Sequence, residues 1–186
     1  MGKLIYSMTV SLDGFIAGPD GEIDWSAPDE GLHRFHNRQV AELGAHFLGR
    51  RLYETMVYWE TADQDPALGA VGREFAGIWR AMPKVVFSTT LDSVEGKTTL
   101  RREVVREEIE ALKAEAGKDL AVGGAGLAAT FTRLGLIDEY HLFVRPVILG
   151  GGTPYFPKLD ERIALEPLEA RKFGSRAVYL VYRRAS

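Results

Sequence analysis

The chain has 186 residues, a length typical of one domain that buries its core without disulfides or structural metals. Hydrophobic residues make up 46% and charged residues 26%, a globular balance, and the absence of cysteine excludes disulfides and thiolate metal sites. The net charge of −3 argues against a general nucleic-acid-binding protein. The N-terminal segment MGKLIYSMTVSLDGF is too short and too polar in its apolar part for a signal peptide or membrane span, so we expect a cytoplasmic protein.

The order of predicted elements indicates an α/β fold in a single domain, residues 1–186. Alternating apolar and β-branched residues predict strands at 3–10, 45–49, 84–88, 119–122, 138–148 and 176–183. Helical periodicity predicts helices near 29–43, 51–57, 71–81, 103–116 and 126–134. Gly174-Ser175 is a turn signal between 163–173 and 176–183, which predicts a C-terminal antiparallel hairpin completing a mixed, mostly parallel sheet.

The four histidines do not form a metal-binding motif such as HExxH. His33 and His36 lie three residues apart on a predicted helix and have no third ligand nearby in the sequence. We interpret this pair as surface residues on a polar helix face, and no metal site is predicted.

A glycine-rich loop follows the first predicted strand, in the sequence SLDGFIA and then GPDG. Asp13-Gly14 is by itself a common turn signal. The apolar residues Phe15, Ile16 and Ala17 directly after the turn favour a second interpretation. In that interpretation the loop lies over a flat ligand, and glycine permits close backbone approach.

Two arginines, Arg50 and Arg51, open the predicted helix that follows the strand ending at Gly49. Cations at this end of a helix oppose its dipole, so a bound anion would explain their placement. Guanidinium groups also match phosphate oxygens in geometry. A second pair, Arg101-Arg102, is a further candidate to face a phosphate, although either pair could equally be a solvated surface.

Three hydroxyl residues follow the predicted strand at 84–88, in the sequence VVFSTTL. Ligand sites in open α/β sheets lie beyond the carboxyl ends of the strands. Ser88 and Thr89 are therefore candidate ligand contacts, with an ordinary Ser/Thr turn as the alternative.

A second glycine loop, VGGAG at 122–126, joins a predicted strand to a predicted helix in the order that cradles a pyrophosphate. Gly124-x-Gly126-x-x-Ala129 satisfies the loose dinucleotide fingerprint. The acidic residue expected about twenty residues later is missing, because Phe143, Val144 and Arg145 stand there. The segment is interpreted as a phosphate loop in another α/β fold; close helix–strand packing through small residues is the structural alternative.

A run of three glycines, Gly150 to Gly152, leaves the predicted strand at 138–148 within the sequence PVILGGGTPYF. So many glycines indicate very close backbone approach or a sharp bulge.

In this order and spacing, the five segments resemble one family, the dihydrofolate reductase superfamily. The segments are SLDGFIA, GRRLYE, VVFSTTL, VGGAG and PVILGGGTPYF, and the resemblance covers roughly Lys3 to Arg183. The last segment resembles the branch that contains the reductase domain of riboflavin biosynthesis. The resemblance implies a central mixed sheet of about eight strands flanked by helices, with NADPH across the carboxyl ends of the strands.

The resemblance also implies roles for individual residues, assigned by matching position. The residues implied to bind the cofactor are Ala17, Gly49, Arg50, Arg51, Leu52, Ser88, Thr89, Gly123, Gly124, Ala125 and Gly126. Those implied to contact substrate are Ser11, Asp13, Ile16 and Gly151. The family usually has Thr where this chain has Leu52, which removes one hydroxyl contact to phosphate.

Two carboxylates are the candidate catalytic groups. Asp13 is the first candidate to orient or protonate the substrate, and Glu30, early in the first predicted helix, is the second. For Glu30 the alternative is a charge that complements the helix dipole. The polar residues that continue this helix favour a phosphorylated or sugar-bearing substrate over folate.

These observations predict an NADPH-dependent reductase that transfers a hydride to a C=N or C=O group of a small heterocyclic or sugar-bearing substrate, similar to 5-amino-6-(5-phosphoribosylamino)uracil reductase. Dihydrofolate reduction and NADPH binding with little catalysis are the alternatives. The resembled branch implies a homodimer. We also expect the strand Tyr140–Ile148 and the hairpin Ala177–Tyr182 to present an exposed edge that needs covering.

Overall fold

The computed structural model describes residues 2–174 and 176–185, which form an α/β fold. The helices are α1 (Glu30–Ala41), α2 (Arg50–Met56), α3 (Ala70–Ala81), α4 (Arg106–Glu115) and α5 (Ala125–Arg133). The strands are β1 (Leu4–Ser11), β2 (Phe15–Ala17), β3 (Ala45–Gly49), β4 (Lys84–Phe87), β5 (Thr98–Arg101), β6 (Leu120–Gly123), β7 (Glu139–Arg145), β8 (Thr153–Pro154), β9 (Leu165–Lys172) and β10 (Val178–Arg184). Within the described residues, none of these helices is both long and apolar enough to span a membrane.

Eight strands form the central sheet in the order β5-β4-β3-β6-β1-β7-β10-β9. The pairs from β5 to β7 are parallel, whereas β10 runs antiparallel to both β7 and β9. The predicted mixed sheet and its C-terminal hairpin are therefore confirmed. The hairpin turn at Ser175 itself lies outside the described residues.

Three short strands were not predicted from the sequence, and the predicted range of a fourth strand was too long. The missed strands, β2, β5 and β8, contain two to four residues each, too few for an alternating pattern to stand out. The strand predicted at 138–148 stops at Arg145, where the amide of Val147 turns back to the Arg145 carbonyl. The expectation that this strand lies at an exposed edge was wrong, because β7 pairs with β1 and β10; the edge strand of the hairpin is β9.

The two faces of the sheet are covered differently. On one face, even-numbered side chains of β1 and β6 pack with α4 and α5 in a continuous core that includes Tyr6, Val122 and Phe131. On the other face, α3 covers β3 and β4 through Trp79, and α1 covers β7 and β10 through Leu32. The helices on this second face lie over the flanks of the sheet, so its central strands, β1 and β6, lie beneath the space between them.

The side chain of Asn37 joins these two helices across that space. Its amide nitrogen, buried with the rest of the residue, donates to the Val71 carbonyl at 3.0 Å and to the Glu74 carboxylate at 2.8 Å. Breaking these bonds would leave the buried amide without an acceptor, which is unfavourable. Asn37 therefore holds α1 and α3 in the arrangement that bridges the central strands.

The loop after β1 and the glycine run after β7 are bound together by the small sheet of β2 and β8. The Tyr155 amide donates to the Gly14 carbonyl, and the buried Tyr155 hydroxyl donates to the Tyr6 carbonyl at 2.8 Å. Gly152 has φ of +126°, and a Cβ on it would lie 2.0 Å from the Ala17 carbonyl oxygen. The close approach predicted for the glycine run is confirmed at this residue.

We expect Gly152→Ala to lower the free energy of unfolding by about 2 kcal/mol or more, because the added methyl group meets backbone and the positive φ is strained. Gly151→Ala is the matched control, since a Cβ there meets nothing nearer than Pro19 Cγ at 3.8 Å. Urea unfolding of both variants measures the difference. Equal stability of the two would contradict the close approach.

Candidate active site

A large cleft of about 1510 Å³ lies under α1 and α3, over the central strands of the sheet. Its floor includes Ile5, Ser7 and Thr9 of β1 and Ala121 of β6. Ser7, Thr9 and Ala121 have small side chains, which do not fill the gap left between the two helices. One end of the cleft lies at the carboxyl ends of the strands, where the predicted glycine loops are.

Two strand–helix junctions meet at that end of the cleft, because β3 and β6 are paired. The β3–α2 junction has its two arginines at the opening, and the β6–α5 junction has the glycine loop. The structure brings together most of the cofactor residues predicted from sequence. Those that line the cleft are Ala17, Gly49, Arg50, Arg51, Leu52, Gly124, Ala125 and Gly126, and of the predicted substrate residues Ile16 lines it as well.

The glycine loop combines packing with an open backbone. Gly123 is buried, and a Cβ on it would lie 2.4 Å from Leu52 Cδ2, so this glycine serves helix–strand packing and does not line the cleft. Gly124 has φ of +90° and begins α5 without a side-chain cap. The first N–H groups of an uncapped helix are available to an anion. The packing alternative is therefore confirmed at Gly123, while the phosphate loop at Gly124 to Gly126 stays a prediction.

A smaller pocket of about 420 Å³ adjoins the cleft beyond the end of β4 and shares Arg50 with it. Ser88 and Thr89 line this pocket, as does Arg102. The Ser88 hydroxyl accepts the amides of Thr90 and Leu91, so it also closes a local turn. The predicted hydroxyl residues therefore lie in a pocket that adjoins the cleft and is also lined by Arg50 and Arg102.

Arg50 and Arg102 are both held in place at this pocket. Arg50 donates to the Glu54 carboxylate at 2.7 Å and to the Thr90 hydroxyl at 2.6 Å. Arg102 donates to the carbonyls of Ser88 and Leu91. Arg102 was considered in the sequence as part of a pair, but its place here depends on β5, which the sequence did not reveal.

Asp13 lies outside the cleft and bridges two loops. Its carboxylate accepts the amides of Leu149 at 3.0 Å and Gly150 at 2.7 Å, and also the Ser11 hydroxyl at 2.7 Å. The bond from the Leu149 amide, followed by that from Ser11, lowers the pKa of Asp13. A carboxylate that accepts three hydrogen bonds stays ionised and is poorly suited to give a proton.

The remaining predicted substrate and catalytic residues also lie outside the residues that line the cleft. Ser11 is buried and accepts the Phe15 amide, and Gly151 faces Pro19. Glu30 is exposed at the start of α1 and pairs with Arg34 at 2.6 Å. The geometry agrees with the alternative given for Glu30, a charge at the helix N-terminus, where Asp29 caps the Leu32 amide.

We expect Asp13→Asn to release the loop at 149–150, because an amide supplies one acceptor oxygen in place of two. Hydrogen exchange at the Leu149 and Gly150 amides should become at least about tenfold faster, the change expected for loss of one charge-assisted bond. Unchanged exchange with a loss of turnover would instead support the role of Asp13 at the substrate.

All four histidines of the chain line this one cleft, and the sequence analysis missed them as site residues. The interpretation of His33 and His36 as surface residues was wrong. His36 continues the buried stripe of α1 that includes Leu32, and its ring packs against Phe143 at 4.2 Å between centroids. The four-residue spacing from Leu32 was the available signal.

His141 belongs to a hydrogen-bonded chain on the cleft floor. The amide of Gln39 donates to the Tyr179 hydroxyl, which lies 2.8 Å from His141 Nδ1, and His141 Nε2 lies 3.1 Å from the Glu139 carboxylate. Lys3 also donates to Glu139, at 2.8 Å. With Glu139 ionised, a neutral His141 carrying its proton on Nε2 satisfies every bond in the chain.

Burial lowers the pKa of the cleft histidines. It lowers the pKa of His36 to about 4, with a further contribution from His33, and the pKa of His46 to about 4, with a contribution from Lys84. Burial also lowers the pKa of His33 and of His141. The cleft therefore presents neutral imidazoles at pH 7.

We expect the protein to lose stability on acidification from pH 7.5 to 5. An unfolded histidine takes up a proton near pH 6.5, whereas folded His46 resists protonation until about pH 4, so the unfolded chain binds more protons in this interval. His46 alone contributes about 1–2 kcal/mol of this loss.

Urea unfolding of the wild type and of His46→Leu at both pH values measures this contribution. The variant should lose less stability on acidification than the wild type does, whatever its absolute stability. Parallel losses in the two proteins would contradict the pKa shift of His46.

The chain is similar in sequence to a known protein family and to a bacterial relative. The profile of the RibD C-terminal domain family matches residues 2–179. YyaP of Bacillus subtilis (strain 168) is 34% identical to this chain over 183 residues, which span 97% of the chain and 94% of YyaP.

Solved structures agree on the fold. A protein assigned to riboflavin biosynthesis from Shewanella sp. PV-4 matches with a TM-score of 0.77 and 23% identity, covering 100% of both chains. Dihydrofolate reductase from Enterococcus faecalis, in complex with NADP(H) and RAB-propyl, matches with a TM-score of 0.62 and 18% identity, covering 100% of this chain and 98% of that one. The dihydrofolate reductase-like fold implied by the sequence resemblance is confirmed.

Proposed function

The chain belongs to the RibD C-terminal domain family, and on this premise we propose that it is an NADPH-dependent reductase of a small heterocyclic or sugar-bearing substrate. The observation that carries the proposal is the meeting of two strand–helix junctions at one end of a large cleft, with arginines on one and a glycine loop on the other. The dihydrofolate reductase with a similar fold binds NADP(H), which supports the same cofactor here.

The residues at the cofactor end fit a dinucleotide. The uncapped start of α5 offers backbone N–H groups to the pyrophosphate, and Gly124 leaves room for its approach. Arg50 and Arg51 stand at the adjoining junction and supply positive charge. These groups bind and orient the cofactor, which supplies the hydride when bound.

The adjoining pocket favours NADPH over NADH. Arg50 and Arg102 flank it, and the hydroxyls of Ser88 and Thr89 lie between them. Such donors suit the 2′-phosphate, a group that NADH lacks, and guanidinium groups bind phosphate through paired hydrogen bonds.

The substrate lies deeper in the cleft, under α1 and α3. The aromatic side chains of Trp59, Phe75 and Phe143 form its walls and restrict water around the reacting atoms. Hydride transfer adds to the carbon of the C=N or C=O group, and the heteroatom takes up a proton. Since Asp13 and Glu30 lie outside the cleft, water is the proton source that this geometry supports best.

Dihydrofolate is the less favoured substrate. The sequence offered Glu30 as the carboxylate that would protonate a pterin ring, whereas Glu30 pairs with Arg34 on the exposed side of α1 and does not line the cleft. An antifolate should therefore bind weakly. Tight displacement by an antifolate would reverse this preference.

We expect NADPH to bind at least about tenfold more tightly than NADH, and Arg102→Ala to remove most of that difference, since a charge-assisted bond contributes about 1.5–3 kcal/mol. Nicotinamide fluorescence during titration measures both affinities. Arg183→Ala is the control, because Arg183 pairs with Glu166 on the C-terminal hairpin, away from the cleft.

Failure of both nucleotides to bind would refute the proposal. Binding of NADPH without its oxidation, across a panel of carbonyl and imine compounds, would favour the alternative of a binding protein with little catalysis. Arg50→Ala should weaken NADPH binding far more than it lowers the melting temperature, because Arg50 is about half exposed.

A further inference from the structure

The middle of the cleft is built from aromatic rings and neutral hydrogen-bonding groups. His33 lies beside Trp59 and Phe75, with ring centroids 6.3 and 6.0 Å away. His36 packs on Phe143 at 4.2 Å. Flat aromatic walls of this kind accommodate a planar ring through stacked and edge contacts.

Three of the four cleft histidines have no partner for their ring nitrogens among the described residues. His141 makes hydrogen bonds from both ring nitrogens, but the side chains of His33, His36 and His46 make none. Polar groups in an apolar environment are stable when they are paired, by protein, water or ligand. These three imidazoles therefore offer donors and acceptors to whatever occupies the cleft.

The charged groups that line the cleft lie only at its two ends, within the part of the chain that the structure describes. They are Arg50 and Arg51 at the carboxyl ends of the strands, and Arg38, Glu42, Lys118 and Asp119 at the opposite end. The opposite end has two positive and two negative groups, so it does not select an anion. Between the ends, no charged side chain of the described residues lines the cleft.

We propose that the cleft accepts an uncharged, planar heteroaromatic substrate whose ring nitrogen and carbonyl groups hydrogen-bond to His33 and His36, and that a phosphate-bearing substrate is excluded. The inference rests on the proposed reductase function and narrows its substrate class. It departs from the phosphorylated substrate that the polar character of α1 suggested in the sequence.

The exclusion of phosphate follows from desolvation. An anion that enters an apolar cleft loses its hydration, and only a paired cation or several donors recover that free energy. Neutral imidazoles supply one donor each, and burial opposes their conversion to cations. An uncharged carbonyl or ring nitrogen needs only one hydrogen bond from each imidazole.

The test uses three ligands that have closely related ring systems and differ in their side chain: lumichrome, riboflavin and riboflavin 5′-phosphate. Their affinities for the full chain at pH 7 are measured by fluorescence anisotropy, with and without saturating NADP⁺. The arm with NADP⁺ fills the end that carries Arg50 and Arg51, so a phosphate cannot bind there. We expect lumichrome to bind, and the 5′-phosphate to bind at least about tenfold more weakly than riboflavin in that arm.

Variants of His36 test whether this side chain hydrogen-bonds to the ring of the ligand. His36→Leu should weaken lumichrome binding about 3- to 10-fold, as expected for one lost hydrogen bond, whereas His36→Gln should restore part of it. Arg34→Gln is the control on the exposed side of α1 and should leave affinity unchanged. Equal affinity of the wild type and His36→Leu overturns the proposed contact.

The outcomes separate this inference from the proposed function. Equal or tighter binding of the 5′-phosphate in the presence of NADP⁺ overturns the substrate class, while NADPH binding would still support the reductase. If the chain binds NADPH but does not bind lumichrome, the proposed substrate class is overturned as well. Lumichrome binding that depends on His36, in a chain that binds neither nucleotide, supports the cleft chemistry and refutes the reductase.

Discussion

The packing of two helices over the flanks of the sheet, joined by the side chain of Asn37, is the constraint on which the site depends. Had α1 or α3 lain over the central strands, side chains would have filled the space above Ser7 and Ala121. The helices meet each other above the sheet, so the central strands remain uncovered. A cleft results because helix–helix contact replaces helix–sheet contact at the centre.

The cleft has different chemistry along its length. At the carboxyl ends of the strands, arginines and an uncapped helix present positive charge, which suits the phosphates of a dinucleotide. Under α1, the groups are aromatic or neutral, and burial keeps the imidazoles uncharged. This division places the charged part of the proposed cofactor at the opening and the uncharged reacting groups inside, where water is scarce.

The loops that follow β1 and β7 show that a candidate catalytic residue can have structural partners that its place in the sequence does not indicate. Asp13 follows the first strand, as a substrate-facing carboxylate would, yet two of its three hydrogen bonds hold the 149–150 loop in place. Leu149 and Gly150 lie more than 130 residues away in the chain, so no local pattern indicates them. The glycine run was interpreted correctly because positive φ and close approach are properties of glycine itself.

The α/β class, the order of the main strands and helices, the C-terminal hairpin and the two strand–helix junctions at the cleft follow from the sequence alone, because periodicity, glycine and charge act over a few residues. The sequence did not determine which side chains face the cleft. His36 and Glu30 both lie on α1, and only the packing of that helix against β7 and α3 turns one inward and leaves the other exposed. Long-range packing also decided that Arg102 reaches the pocket beside Ser88, through a short strand with no local signature.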